Sequence, residues 1–504
     1  MDSMSDKIFD QLVAHLRDTQ KLSSIKALLD WDQQTKLPVA GNGYRAEQLM
    51  MLAGEIHKRN TDPRIGEWLH ELESELDTAE PHGDRWATVR ETRRQFDKNT
   101  KLSTELVEAL TRCSALGHQV WVEARQENDF EKFAPCLEEM VKLKIEVAEA
   151  SGYEDSPYDV LLDDYEPGAK TSEVASVLDG LKNELVPLIE AIRGATHAPD
   201  VEILSRKFPQ QQQEQFARNA SRQIGFNYDR GRLDSAHHPF CTELGPDDVR
   251  ITTRFDESFF NMCFFGTLHE AGHGMYEQGL RAKQYGLPPG RYCSLGIHES
   301  QSRLWENIVG RSAAFWDYFF PLAQQQFECL SDVNVEQFFH AVNDVRPSLI
   351  RVEADEATYN LHIIIRFELE QELLNRQLSV KDLPTAWNDR YQRYLGISPD
   401  SDANGVLQDI HWSAGLFGYF PTYSLGNLYA SQIYAQAESE IGGMDGNFRR
   451  GKFDDLLEWL RDNIHKQGAS YRASELVMKV AGGPIDHTPL IQYLTKKLKP
   501  IYQL

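Results

Sequence analysis

Residues 269–273 read His269-Glu270-Ala271-Gly272-His273, an H-E-x-x-H pattern. On an α-helix each residue turns about 100°, so positions i and i+4 share one face. Both imidazoles can then reach one metal ion. Glu270 projects beside them, where a carboxylate can take a proton from water. Phe264, Phe265 and Leu268 precede the pattern and predict a buried helix. Two histidines and a glutamate are costly in such a helix unless they pair or ligate. A core helix with satisfied polar groups would show the same letters, but the surroundings favour metal. Gly272 and Gly274 each weaken the helix by about 1 kcal/mol relative to Ala. Their missing side chains admit a close neighbour, either substrate or a facing helix.

A catalytic zinc takes three protein ligands and keeps one position for water. The best third candidate is Glu299 in the stretch Ile297–Arg303, 26 residues (299 − 273) after His273. The Gly/Pro-containing segment 285–291 would let a second helix fold back antiparallel. Glu277 on the same helix, Glu306 two turns beyond Glu299, and His298 are competitors. A carboxylate at that place is also favoured by the helix macrodipole alone.

The elements that must position these residues are mostly helical. Apolar residues at helical spacing run through 4–35, ending before Pro38 and Gly41. Further helices are predicted near 44–60, 84–98, 103–126, 130–151, 171–194 and 208–224. They resume at 258–279, 297–310, 312–329, 352–375, 380–395, 424–441, 451–466 and 486–499. The segment 154–168 is rich in Asp, Tyr and Pro and reads as a loop. Between 231 and 256 the pattern changes. Arg250–Phe255 alternates and predicts a strand, with 232–243 as its partner. The reading is a mostly α, two-lobed fold with a groove and a small antiparallel sheet beside the metal helix. No internal repeat or linker breaks the 504 residues, so 1–504 reads as one catalytic unit.

Composition excludes some classes. There are 53 Lys+Arg against 77 Asp+Glu, a formal charge of −24, which disfavours nucleic acid and anionic membrane surfaces. No apolar run is long enough to span a bilayer, and the first residues lack an apolar signal core. Six scattered cysteines show no C-x-x-C pair, as expected of reduced thiols. The expectation is a cytoplasmic protein without membrane or nucleic-acid partners.

Five motifs in order resemble the carboxypeptidase Taq family of zinc metallocarboxypeptidases. Asp248-Val-Arg250-Ile-Thr252 is similar to its D-x-R-x-T, and His269–His273 to its H-E-x-x-H. His298-Glu299-Ser300-Gln301 is similar to its H-E-[SG]-Q. Ile350–Asp355 resembles its arginine motif and Gly405–Trp412 its G-x-x-Q-D-x-H-W, with His238-Pro239-Phe240 a further short element. Clear motifs run from about 154 to 427. The resemblance implies a neurolysin-like helical fold with a deep groove, a homodimer, and Glu299 as the third ligand beside His269 and His273.

The implied cofactor is Zn²⁺, with Co²⁺ or Mn²⁺ as alternatives, and Glu270 is the general base. A carboxypeptidase must also recognise a free carboxylate, and arginine's planar fork suits it. Arg351 is chosen from the arginine motif; a salt bridge to Glu353, Asp355 or another acid would equally explain it. Tyr423 and His238 are candidate donors to the oxyanion. Arg250 and His411 lie in motifs that border the closed end of the family's groove, although Arg250 could simply pair with Asp248. Gln408 and Asp409 could cap a helix. The resulting expectation is stepwise release of C-terminal amino acids from peptides with broad specificity. Two alternatives stand beside it: a zinc endopeptidase with the same ligands, and a metal-stabilised interaction protein, against which an intact Glu270 argues.

Overall fold

A computed structural model describes residues 4–74, 76 and 80–504. The chain divides into two compact units. The first comprises Met1–Thr100, Asp200–Val342 and Ile433–Gly482, and the second Lys101–Pro199, Asn343–Gln432 and Gly483–Leu504. Both are built mainly from helices, and the chain passes back and forth between them. Among the described residues no helix is long and apolar enough to cross a membrane. The six cysteines are free.

The first unit starts with the helix Met4–Thr35, where the apolar spacing predicts it. Its Leu12 packs with Ile65, Leu69 and Leu72 of Pro63–Glu73 and with Val89 of a further helix, Asp84–Lys101, in one buried cluster. Pro63 occupies the first turn of that helix and Asp62 accepts from the Arg64 N–H, a start signal of the usual kind. The far end of the first helix is fastened to the sheet by charge and stacking. The Arg250 guanidinium lies 4.3 Å from the Trp31 ring and that of Arg232 5.2 Å from it. Lys36 and Arg232 both pair with Asp234.

The sheet has three strands, β1 (Gly231–Ser235), β2 (Cys241–Gly245) and β3 (Asp248–Thr253), in the order β1-β3-β2. The expected antiparallel pairing holds for β2 with β3, but β1 runs parallel to β3. The expectation of an all-antiparallel sheet is therefore corrected. The reason is burial. β3 carries Val249 and Ile251, both fully buried, and takes the central place. β2 then lies on the far side of β3 and serves as the return connection that a parallel pair needs.

The helix Phe260–Gly279 crosses this sheet. Its first turns are mostly apolar, with Phe260 and Phe264 packed among Phe216, Phe327 and Trp316. Its two central glycines meet protein. A Cβ on Gly272 would lie 2.6 Å from the Gln301 carbonyl oxygen and 2.7 Å from Ser302 Cα; one on Gly274 would meet Phe226 and Ile251. The close neighbour of Gly272 is thus the facing helix Leu295–Arg303. That helix starts at Ser294, whose side chain accepts from the Ile297 N–H, and continues into a π-helix, Leu304–Val309.

In the second unit Thr104–Glu127 and Phe130–Ser151 form an antiparallel pair, joined at Asn128 in the left-handed conformation. The segment read as a loop contains a short helix, Pro157–Leu162, capped by Ser156. The predicted helix 352–375 begins later, at Tyr359. Arg351–Glu353 is a separate 3-10 turn. Tyr423 sits in the first turn of Pro421–Ile441.

Replacing Gly272 by Ala is predicted to push the two site helices apart. A loss of about 1–3 kcal/mol in chemical unfolding is expected, together with weaker metal retention after dialysis. An unchanged midpoint and unchanged metal content would contradict this packing account.

Candidate functional site

The two helices of the first unit bring His269, His273 and Glu299 into one cluster. Nε2 of His273 and Nε2 of His269 lie 3.3 and 3.6 Å from the same Glu299 oxygen. A tetrahedron with bonds of about 2.0–2.1 Å has edges of about 3.3–3.4 Å, so these separations suit a shared divalent ion. The other nitrogen of His269, Nδ1, is 2.8 Å from Glu306. If Nδ1–H donates to that carboxylate, the Nε2 lone pair faces the cluster, the arrangement seen around metal-bound histidines. The donor set therefore fits a divalent cation.

Glu306 and Glu277, both competitors for the third ligand, have other partners. Glu306 lies in the π-helix and reaches His269. Arg303 bridges Glu299 and Glu306 at 2.7 and 3.3 Å. Glu277 pairs with His298 Nε2 at 2.8 Å. His298 in turn stacks on His273, with ring centroids 4.4 Å apart. Gln301 receives His465, which is fully buried. Sequence reasoning missed Arg303 and His465, whose spacing carries no ligand signal.

Burial and charge compete at each group. Burial opposes a charge on His269, but Glu299 and Glu306 outweigh it and hold the imidazole up to about 9. Burial, reinforced by His298, pulls His273 down to about 3. Glu270 is buried between them in sequence, and burial pushes its carboxyl up to about 7, with Glu299 and Glu306 adding to the effect. Such a carboxylate is matched to proton transfer near neutral pH.

The remaining predicted residues divide. Arg250 holds Asp248 through Nε and Nη2 at 2.9 and 2.8 Å, so the pairing reading describes it. His238 is exposed on the loop that leads into β2. Arg351, His411 and Tyr423 come together in the second unit. Arg351 donates to Asp409 (2.9 Å) and to the Tyr359 hydroxyl (2.9 Å), and its guanidinium lies 5.1 Å from the Tyr423 ring. The acid partner is therefore Asp409, not Glu353 or Asp355. The His411 ring packs on Phe420 at 4.4 Å, and burial draws it down to about 4. Its Nδ1 is buried without a hydrogen bond.

Gln408 and Asp409 do not cap a helix; they hold arginines. Gln408 accepts from the Arg351 backbone N–H, and Asp409 also takes Arg366 at 2.6 Å. Arg366 was not singled out from the sequence. Its signal was available: one cation inside the apolar run Ile363-Ile364-Ile365-Arg366-Phe367.

Metal loading is predicted to release a proton. His269 must be neutral at Nε2 to ligate, and its raised value means that the metal-free protein holds that proton below about 9. The sign follows. The charge on His269 stabilises the metal-free fold below the ordinary histidine value, and this is lost as pH rises through about 9. Metal affinity should fall by up to about tenfold per pH unit lowered from there. Calorimetry in two buffers of different ionisation enthalpy measures the proton count, and zero protons at pH 7 would contradict the arrangement. Glu306→Gln should weaken metal binding by about 10–100-fold in chelator competition.

Comparison with known proteins agrees with this geometry. The family model of the carboxypeptidase Taq (M32) metallopeptidases matches residues 11–498. The chain is 45% identical to thermostable carboxypeptidase 1 of Thermus thermophilus, over 98% of this chain and 99% of that protein. It is 36% identical to carboxypeptidase 1 of Bacillus subtilis, over 97% of each. The crystal structure of an M32 carboxypeptidase from Deinococcus radiodurans superposes with a TM-score of 0.95 at 39% identity, covering 99% of this chain and all of that one. With a family match across nearly its whole length and a His/His/Glu cluster able to hold a divalent metal, the chain belongs to the carboxypeptidase Taq (M32) metallopeptidase family.

Proposed function

We propose that this metallocarboxypeptidase removes C-terminal amino acids from peptides one at a time, with broad tolerance of side chains. The observation that carries the reading is a pair of built clusters: His269, His273 and Glu299, with Glu270 beside them, and the buried Arg351 with its aromatic neighbours. The family match spans both compact units, which supports treating 1–504 as one catalytic unit.

His269, His273 and Glu299 would hold the cation, proposed as Zn²⁺, with Co²⁺ and Mn²⁺ as alternatives. When bound, it supplies Lewis acidity, polarising a carbonyl and acidifying water. Glu270 accepts the proton of the attacking water and delivers it to the departing amine. Glu306 and Arg303 orient the ligand side chains and balance their charge. Arg351 receives the terminal carboxylate. Asp409 and Tyr359 engage three of its five N–H donors and fix the plane of the fork. Tyr423 and His411 wall that place with aromatic surface. His238 is assigned as a donor to the carbonyl oxygen, from a loop leading into a strand that packs beside the metal helix. Arg250 is assigned to the closed end of the substrate site, held there by Asp248. The resemblance further supports a homodimer, and the free thiols suit a cytoplasmic setting.

A mass-spectrometric time course on one peptide and its C-terminal amide tests this. The free acid should shorten one residue at a time, and the amide and the chelator-treated enzyme should give nothing. Internal fragments from both peptides would make the protein an endopeptidase. Glu270→Gln should lose at least about 10²-fold in kcat while keeping its metal. Full activity in that variant would remove Glu270 as the base.

A further inference from the structure

Arg351 alone does not explain attraction of a carboxylate. Asp409 engages its Nε and Nη2 at 2.9 and 2.8 Å. One cation closely paired with one anion has no net charge to offer. The other Asp409 oxygen, however, is held by Arg366, at 2.6 Å from both Nε and Nη2. Arg366 is fully buried, and protein groups surround its guanidinium. Nη1 donates to the His362 carbonyl at 2.7 Å, Nη2 to Gln408 Oε1 at 2.8 Å, and Trp387 lies 4.5 Å below. It cannot touch substrate, yet burying a second guanidinium is costly.

The neighbouring titratable groups do not cancel it. His411 lies 3.9 Å from Asp409 but is drawn down to about 4 by burial, and burial also keeps His362 neutral. Glu370, one turn along the same helix, does face Arg366, but burial pushes its carboxyl up to about 7, and the Lys144 ammonium and donors from Tyr158, Trp412 and the Gly418 N–H also engage it. Two cations against one anion leave the Arg351–Asp409–Arg366 triad with one net positive charge. We infer that Arg366 is a positioning residue: by sharing Asp409 it leaves Arg351 electrostatically able to bind the substrate carboxylate. This inference rests on the assignment of Arg351 made above.

The test is a charge-restoring double variant, read as kcat and KM on a free-acid peptide at low and high salt. Arg366→Met makes the triad neutral and should raise KM by about tenfold or more, with kcat changed much less. Adding Asp409→Asn to that variant returns the net charge and should recover most of the lost KM. Arg366→Lys, which keeps charge and bulk, should stay near wild type. If Arg366→Met folds poorly, Asp409→Asn alone decides the matter. Extra positive charge should lower KM and steepen its salt dependence, whereas a merely structural Asp409 would raise KM. Equal KM in the single and double Arg366 variants, or a higher KM in Asp409→Asn, overturns the inference. Arg351→Gln separates the two levels. If it leaves the preference for free acid over amide intact, the assignment of Arg351 itself falls.

Discussion

The approach of two helices at Gly272 underlies the metal cluster. Side-chain atoms of His269, His273 and Glu299 come within 4.8 Å of one another where the helix backbone at Gln301 and Ser302 lies against a residue with no Cβ. The helix pays for that glycine in propensity, and the facing contact supplies the compensation. The aromatic packing of Phe260 and Phe264 holds the same helix from its other end. The sheet supports it through Ile251 against Gly274 and through the hydrogen bond between Thr253 and Thr267.

Such close packing forces charges out of water, and both clusters answer this in the same way. Around the metal ligands, Glu299 and Glu306 share Arg303, and Glu306 has Arg311 at 3.9 Å on its other side. In the second unit the signs are reversed: one aspartate serves two arginines. The first cluster is rich in carboxylates and suits a cation. The second has an excess of guanidinium and suits an anion. Where burial outweighs a carboxylate partner the protonation shifts instead, as at His273 and His411, which burial draws down to about 3 and about 4.

The π-helix Leu304–Val309 shows how a local irregularity serves the site. It follows the helix that carries Glu299 and places Glu306 against His269. Short π segments of this kind recur at functional positions. No residue in Leu304-Trp305-Glu306-Asn307 announces it in the sequence.

The H-E-x-x-H spacing, the apolar approach to it, the mostly helical character and the acidic surface were all legible in the sequence, since each depends on periodicity or composition. The family resemblance followed from motifs in order. The sequence could not separate Glu299 from Glu277 and Glu306 by spacing alone, because each lies within reach of the metal helix in one dimension. It chose Arg351 over Arg250 only through the motif resemblance, and left the partner of Arg351 open. The fold supplies each charge with its partner. It set Glu277 against His298, Glu306 behind His269, Arg250 on Asp248, and Arg351 with Asp409 and an unsuspected Arg366. Periodic patterns are written along the chain, whereas the partner of a buried charge is chosen by contacts between segments tens of residues apart. Only the tertiary structure contains those contacts.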